Sequence, residues 1–221
     1  MTPSFLHVAS ETARGRTVCR ILTYEVLREH MSAVTGRVID LACGTNPSYR
    51  QFLNHAPAGV HLIGLDRKAA SRPTVIADLT SQLPIVDGSA DAAIVSFYLY
   101  IPAEPETLLA EIYRVLRPGG VVLLTLPFVF PYTPEPTDHW RFTEAGIQRL
   151  LRKTGLAAES VTPVGGRWTS AAYLLAPFLR PTWLTAVLAN WLAIKLDHYT
   201  AGLRRLSPCP VAYVVKAHKP A

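Results

Sequence analysis

Cysteine is scarce in this 221-residue chain, and the three present stand far apart. Cys19, Cys43 and Cys209 form no Cys-x-x-Cys pair, so a disulfide scaffold is excluded and reduced thiols in a cytoplasmic protein are expected. Charge is sparse too, at 17% of residues against 49% hydrophobic, with a mean hydropathy of +0.20, which excludes a disordered chain. Long uninterrupted apolar helices are missing. The uncharged stretch 181–194 would reach only about 21 Å as a helix, short of about 30 Å of hydrocarbon. The longer uncharged run 118–134 is broken by two Gly and four Pro. A basic segment followed by an apolar one, as in a secretory signal, is absent from the N-terminus. There is no Gly-Lys-Ser/Thr phosphate loop, no Gly-x-Gly-x-x-Gly and no internal repeat. No carboxylate cluster has metal-ligand spacing, so no metal is expected. The length fits a single α/β domain over 1–221.

What charge there is lies unevenly. Lys and Arg number 22 against 16 Asp and Glu, a net +6. Residues 37–160 are nearly neutral, with eleven basic and twelve acidic side chains, while residues 161–221 carry seven basic and one acidic. The whole excess therefore sits in a C-terminal segment rich in Trp, Leu and Ala.

Apolar spacing at i, i+3 and i+4 predicts one helix over 10–32, ended by Gly36. Short β-prone runs follow at 38–41, 60–65, 74–77, 92–97 and 121–126, the last entered through a Pro118-Gly119-Gly120 turn. Helical patterns cover 104–116 and the stretch between Thr143, a predicted N-cap, and Gly155. Strands alternating with helices imply βαβ units and a mostly parallel sheet, which binds ligands at the carboxyl ends of its strands. Acids stand in or just after three of those strands: Asp40, Asp66 and Asp78. Asp40 leads into a turn of small residues, Ala42 and Gly44, that lets the backbone approach a ligand. A carboxylate at Asp66 can accept from both hydroxyls of a ribose, and Asp78 stands where the exocyclic amine of adenine can donate. Together they suit a nucleoside carrying an amino acid and a positive sulfur.

On these residues the chain resembles the class I S-adenosylmethionine-dependent methyltransferases over about 34–160. Asp40-Leu-Ala-Cys-Gly44 is similar to the family's first motif, commonly Asp-Leu-Gly-Cys-Gly. Gly64-Leu-Asp66 and Ala77-Asp78-Leu79 are similar to its second and third. Residues 83–91 resemble the lead-in to the fourth strand, and Glu111-Ile-Tyr-Arg-Val-Leu-Arg-Pro-Gly-Gly120 is the most recognisable piece. The chain departs at Ala42, where the family has Gly, and at Asn46-Pro47. The resemblance implies an α/β, Rossmann-like, seven-stranded and mostly parallel sheet with helices on both faces. Its last strand is antiparallel and inserted beside the fifth. A helical cap is expected from the N-terminus and from a 167–206 insertion, in which 171–179 and 182–196 read as two helices. It further implies S-adenosylmethionine as cofactor, held by Asp40, Ala42, Cys43, Gly44, Asn46, Asp66, Arg67, Asp78, Leu79, Ser96 and Phe97.

The implied reaction is an in-line methyl transfer to a small-molecule acceptor, sugar- or lipid-linked, and most simply at oxygen. His139 is the candidate base; the alternative is that Asp138-His139-Trp140-Arg141 is a structural clamp. Tyr98, Tyr100, Phe128, Tyr132, Trp140, Trp168 and Tyr173 are the candidate acceptor contacts, with core packing an open alternative for the aromatics around 128–132. Three roles stay open for 167–206: a cap over the pocket, a peripheral membrane contact, or a homodimer interface. The basic residues form no dense stripe, which disfavours nucleic acid. An RNA or protein methyltransferase docking through the basic tail is the alternative function, and a non-catalytic binding protein of the same fold a second.

Overall fold

Two periodicities build the molecule. Alternate residues of the strands are apolar on both sides, so both faces of the sheet take a helical layer. The computed structural model describes residues 3–31, 34–45, 47, 49–53, 59–179, 182–201 and 208–221. Seven strands form one sheet: β1 (Gly36–Leu41), β2 (Val60–Asp66), β3 (Val75–Ile76), β4 (Ala90–Ser96), β5 (Leu116–Pro127), β6 (Ala157–Val164) and β7 (Ala212–His218). Their order is β3-β2-β1-β4-β5-β7-β6. The pairs among β1 to β5 are parallel, and β7 runs antiparallel between β5 and β6. This is the expected α/β architecture.

One face buries Ile39, Leu41, Val95, Leu124 and Val215 against α4 (Pro105–Val115) and α5 (Glu144–Lys153). The other buries Val38, Ile94, Leu123 and Val214 under α2 (Val18–Met31), through Tyr24, Leu27 and Met31. Between β1 and β2, α3 (Arg50–Leu53) is a single turn. Thr143 caps α5 as predicted, accepting from the Gly146 amide.

Three local expectations change. The single helix over 10–32 is two, α1 (Phe5–Ala13) and α2. Gly15 takes a left-handed φ of +77°, and Thr17 starts the second helix by accepting from the Arg20 amide. Glu11 braces the break by pairing with both Arg14 and Arg16. The third strand shrinks to Val75–Ile76. The Pro118-Gly119-Gly120 turn lies inside β5 and shifts its register without ending it, as pairing passes from Ala90↔Leu116 to Ala92↔Val121.

The cap is built from α1, α6 (Arg167–Leu179) and α7 (Trp183–Thr200). Thr182 caps α7 and shares a capping box with Thr185. A buried hydrogen bond from Asn190 to the Thr12 hydroxyl (3.2 Å) ties α7 to α1. The start of α6 borrows its cap. Gly166 offers no side chain, and a Cβ there would meet Asp197 at 2.5 Å. Asp197 of α7 instead accepts from the Trp168 amide (2.9 Å), the Thr169 amide (2.9 Å) and the Thr169 hydroxyl (2.6 Å). Its negative charge faces the positive end of the helix. Asp197→Ala is therefore expected to cost about 1–2 kcal/mol and to lower Tm by about 2–8 °C in thermal unfolding. An unchanged Tm would show that the cap carries no stability.

Candidate active site

Strand order reverses between β1 and β4, and the crevice at their carboxyl ends is where such sheets take ligands. Two of the three non-glycine residues with positive φ among the described residues stand there: Ala42 (φ +56°) after β1 and Phe97 (φ +50°) after β4. A left-handed backbone costs a residue with a Cβ about 1–2 kcal/mol, so each is held by its surroundings. Phe97 is held by Thr125 of β5, whose carbonyl (3.1 Å) and hydroxyl (2.9 Å) both accept from its amide. The hydroxyl also meets that of Ser96 at 3.1 Å. After Ala42, the Cys43 amide donates to Leu65 (3.1 Å), which ties the turn to β2.

Asp40 sits behind this turn with no solvent exposure. Tyr49 donates its hydroxyl to one carboxylate oxygen (2.8 Å), and the Arg50 Nε pairs with the other (3.2 Å). Burial pushes the Asp40 carboxyl above its ordinary range, opposed by the Tyr49 hydrogen bond and the Arg50 charge. Tyr24 of α2 packs edge-on to Tyr49 at 6.0 Å. Asp40 is thus a brace for the turn and does not line the cavity in front of it.

That cavity measures about 610 Å³, within the range of small-molecule sites. Asp66 lies at its rim. One carboxylate oxygen accepts from the Gly44 amide (2.9 Å) and the other from the Lys68 amide (2.8 Å). Each oxygen keeps a lone pair for a further donor. Across the cavity, Asp78 takes the Thr80 amide (2.9 Å) and hydroxyl (2.8 Å) on one oxygen. These bonds hold its carboxyl below the ordinary range, so it stays an acceptor. Gly44 has nothing within 4 Å of where a Cβ would be, which leaves its backbone open to a ligand. Leu79, Tyr98, Ile101 and Pro102 add apolar walls, and Arg67 and Lys68 add charge.

The loop after β5 closes over one side of the cavity. The amides of His139 (2.9 Å) and Trp140 (3.1 Å) donate to the Tyr100 carbonyl, and the Trp140 indole donates to Pro102 (3.0 Å). Arg141 pins the loop from within. It donates to the Trp140 carbonyl (2.9 Å) and the Pro131 carbonyl (3.1 Å) and pairs with Asp138 (2.9 Å). Its guanidinium also lies 5.7 Å from the centres of both the Tyr100 and Phe130 rings. His139 lines the cavity with Nδ1 2.6 Å from the Ile101 carbonyl. A carbonyl only accepts, so Nδ1 carries a proton, and in the neutral ring this leaves the lone pair on Nε2.

Beside the cavity runs a chain of rings. Phe130 stacks on Phe97 (6.3 Å) and touches Tyr100 (5.7 Å) and Tyr173 of α6 (5.9 Å). Phe128 packs on Tyr213 instead.

The structure thus brings Ala42, Gly44, Asp66, Arg67, Asp78, Leu79, Tyr98 and His139 to one cavity. It puts Phe97, Tyr100 and Tyr173 in the neighbouring ring cluster. Cys43 is buried beside Gly64, and Ser96 faces Thr125. Trp140 stacks on Phe142 (6.1 Å) in the clamp. Tyr132 and Trp168 are exposed and line neither feature. Asn46 lies outside the described residues. Sequence reasoning missed Tyr49, Arg50 and Thr125. Only Thr125 left a signal, a hydroxyl inside the apolar run 121–126.

Residues 39–124 match the sequence model of the methyltransferase domain family. The chain is 30% identical over 122 residues to the ubiquinone/menaquinone biosynthesis C-methyltransferase of Geobacter sp. strain M21, covering 48% of this chain and 52% of that protein. It is 36% identical over 104 residues to the demethylmenaquinone methyltransferase of Renibacterium salmoninarum, covering 42% and 43%. The matches thus span about half the length of these curated relatives. Among solved structures, the Burkholderia thailandensis 1,6-didemethyltoxoflavin N1-methyltransferase superposes with a TM-score of 0.58 at 17% identity, over 96% of this chain and 85% of that one. The fold is shared with that structure.

Asp138 supplies a pH test of the clamp. The Arg141 pair first, and the Thr133 amide next, hold its carboxyl below the ordinary range. Its stabilising effect is present above the unfolded value and is lost as pH falls through the folded one. Acidification below about pH 4 is expected to loosen the loop, read as broadening of the Trp140 indole N–H resonance. Asp138→Asn should remove that acid response and disturb the resonance already at neutral pH. An acid response left unchanged by this substitution would assign it to another group.

Proposed function

We propose that this chain, whose residues 39–124 carry a methyltransferase domain, binds S-adenosylmethionine in the cavity at the β1/β4 switch and methylates an apolar small-molecule acceptor. The observation that carries this reading is Asp66. One carboxylate braces the amides of two loops, lines the cavity and still has lone pairs to accept with. The residues fit the cofactor. Asp66 would take the ribose hydroxyls, the unoccupied oxygen of Asp78 would take the adenine amine, and Leu79 and Ile101 would flank the base. The backbone from Ala42 to Gly44 would lie against the methionine part. When bound, the cofactor supplies an electrophilic methyl group on a positive sulfur.

What remains for the chain is orientation and a proton. Phe97, Tyr100, Phe130 and Tyr173 are the acceptor wall in this reading, since the ring cluster adjoins the cavity and is apolar. Holding reactants in line can itself supply several kcal/mol. Nε2 of His139 takes the proton that the acceptor loses, for which its tautomer is already set. Oxygen is the simplest acceptor atom. A second reading, methylation at carbon, is favoured by the name of the Geobacter relative.

Two substitutions test this. Asp66→Ala is expected to weaken S-adenosylmethionine about 10- to 100-fold in calorimetry, the worth of hydrogen bonds to a charged group. Unchanged affinity would remove the ribose assignment. His139→Asn keeps an N–H in the place of Nδ1 for the Ile101 carbonyl and removes Nε2. If the histidine is the base, turnover falls about 10²- to 10⁴-fold with cofactor affinity preserved. Wild-type turnover in that variant would leave His139 as part of the clamp alone.

A further inference from the structure

Eleven of the fifteen large apolar side chains exposed among the described residues lie on α1, α6 and α7. The sheet and its other helices keep theirs covered almost throughout, so the exposure belongs to the cap. On α7, Leu184, Leu188 and Leu192 recur every four residues, each 53–56% exposed, and Lys195 and Tyr199 continue the same side. Ala186, Val187, Asn190, Ala193 and Ile194 bury the opposite side. The pattern repeats on α6, where Leu174, Leu175 and Phe178 face out, with Phe178 81% exposed, while Ala176 is buried. Phe5 of α1 joins the patch by meeting the Trp191 ring edge-on at 5.6 Å. Exposed apolar side chains concentrated on three helices in this way mark a binding surface.

Charge chooses the occupant. The segment 167–206 holds five basic residues and one acid. That acid, Asp197, is taken up in capping the start of α6. Lys195 lies on the apolar side of α7 with its ammonium 5.8 Å from the Trp191 ring centre, the posture of a side chain whose stem covers apolar surface while its head reaches out. In the sequence, Arg180 falls between the two helices, and Arg204 and Arg205 follow α7. Apolar side chains interspersed with cations and aromatics match an anionic lipid surface. A second copy docked by the same face would bring no acid besides the capping Asp197 to meet these cations. No helix among the described residues is long and apolar enough to cross a membrane, so contact would be made by helices lying on the surface.

We infer that the α6–α7 hairpin, with Phe5, docks on the surface of an anionic phospholipid bilayer. The hairpin that carries the outward leucines also carries Tyr173, whose ring touches Phe130 in the acceptor cluster. Docking therefore places the acceptor wall at a lipid surface, a consequence that rests on the function proposed above, whereas the docking itself does not.

Flotation of the full chain with vesicles tests it. Binding is expected to vesicles containing phosphatidylglycerol, to weaken with added salt and to be poorer on phosphatidylcholine alone. The double substitution L188Q/L192Q replaces exposed side chains only, so an unchanged thermal melt should accompany at least a tenfold loss of vesicle binding, roughly the worth of two leucines returned to water. No flotation at low salt would overturn the proposal. So would a dimer in sedimentation, without vesicles, that the same substitutions dissociate, because the face would then belong to a second copy. Calorimetry with S-adenosylmethionine on the same samples separates the two claims. Flotation without cofactor binding would sink the methyltransferase reading and leave docking standing, and the reverse would sink docking alone.

Discussion

Asp40 lies in the middle of a parallel sheet with no exposure, where an unpartnered carboxylate would cost several kcal/mol. Tyr49 and Arg50 offset that cost, and in doing so they fold the chain after the Ala42 turn back onto the strand it has just left. The turn is thereby fixed on one side by a half-buried ion pair and on the other by the Cys43 amide on β2. With its path settled, Ala42 can be held left-handed and the Gly44 amide can reach Asp66. The position of Asp66, and hence of the cavity rim, follows from a carboxylate that never meets the cavity.

The second half of the site is built on the same logic with neutral groups. Thr125 places a hydroxyl and a carbonyl where Phe97 must turn its amide, and this bends the chain out of β4 toward Phe130. The clamp loop then lies along the chain that follows β4 by hydrogen bonds from consecutive amides to a single carbonyl. Asp40 and Thr125 play equivalent parts, polar groups inside the apolar runs 38–41 and 121–126 whose work is to set a turn.

The sheet was legible because its strands are short apolar runs punctuated by Gly and Pro, and because acids at strand ends have little reason to be there for packing. The ligand-side acids Asp66 and Asp78 follow from the same pattern. The brace did not. Tyr49 and Arg50 come nine and ten residues after Asp40, across a turn whose route no periodicity describes. The first helix was misread for a related reason. Apolar spacing runs on from α1 into α2, and only the backbone of Gly15 with the cap at Thr17 divides them. In α7 the residue types are apolar on every side, so sequence alone left open a buried helix or one in lipid. Only the packing on α1 and α6 separates a buried stripe from an exposed one.

The nearly neutral segment 37–160 holds the cavity and its acids, while the cationic excess belongs to the segment that carries the outward apolar face. The cavity and the outward apolar face are thus separate in sequence, and Tyr173 of α6 touches Phe130 of the ring cluster between them. The account depends first on the cavity. Calorimetric titration of the wild-type chain with S-adenosylmethionine measures it directly. One-to-one binding at sub-millimolar cofactor is the predicted result, and no binding at millimolar cofactor would contradict it.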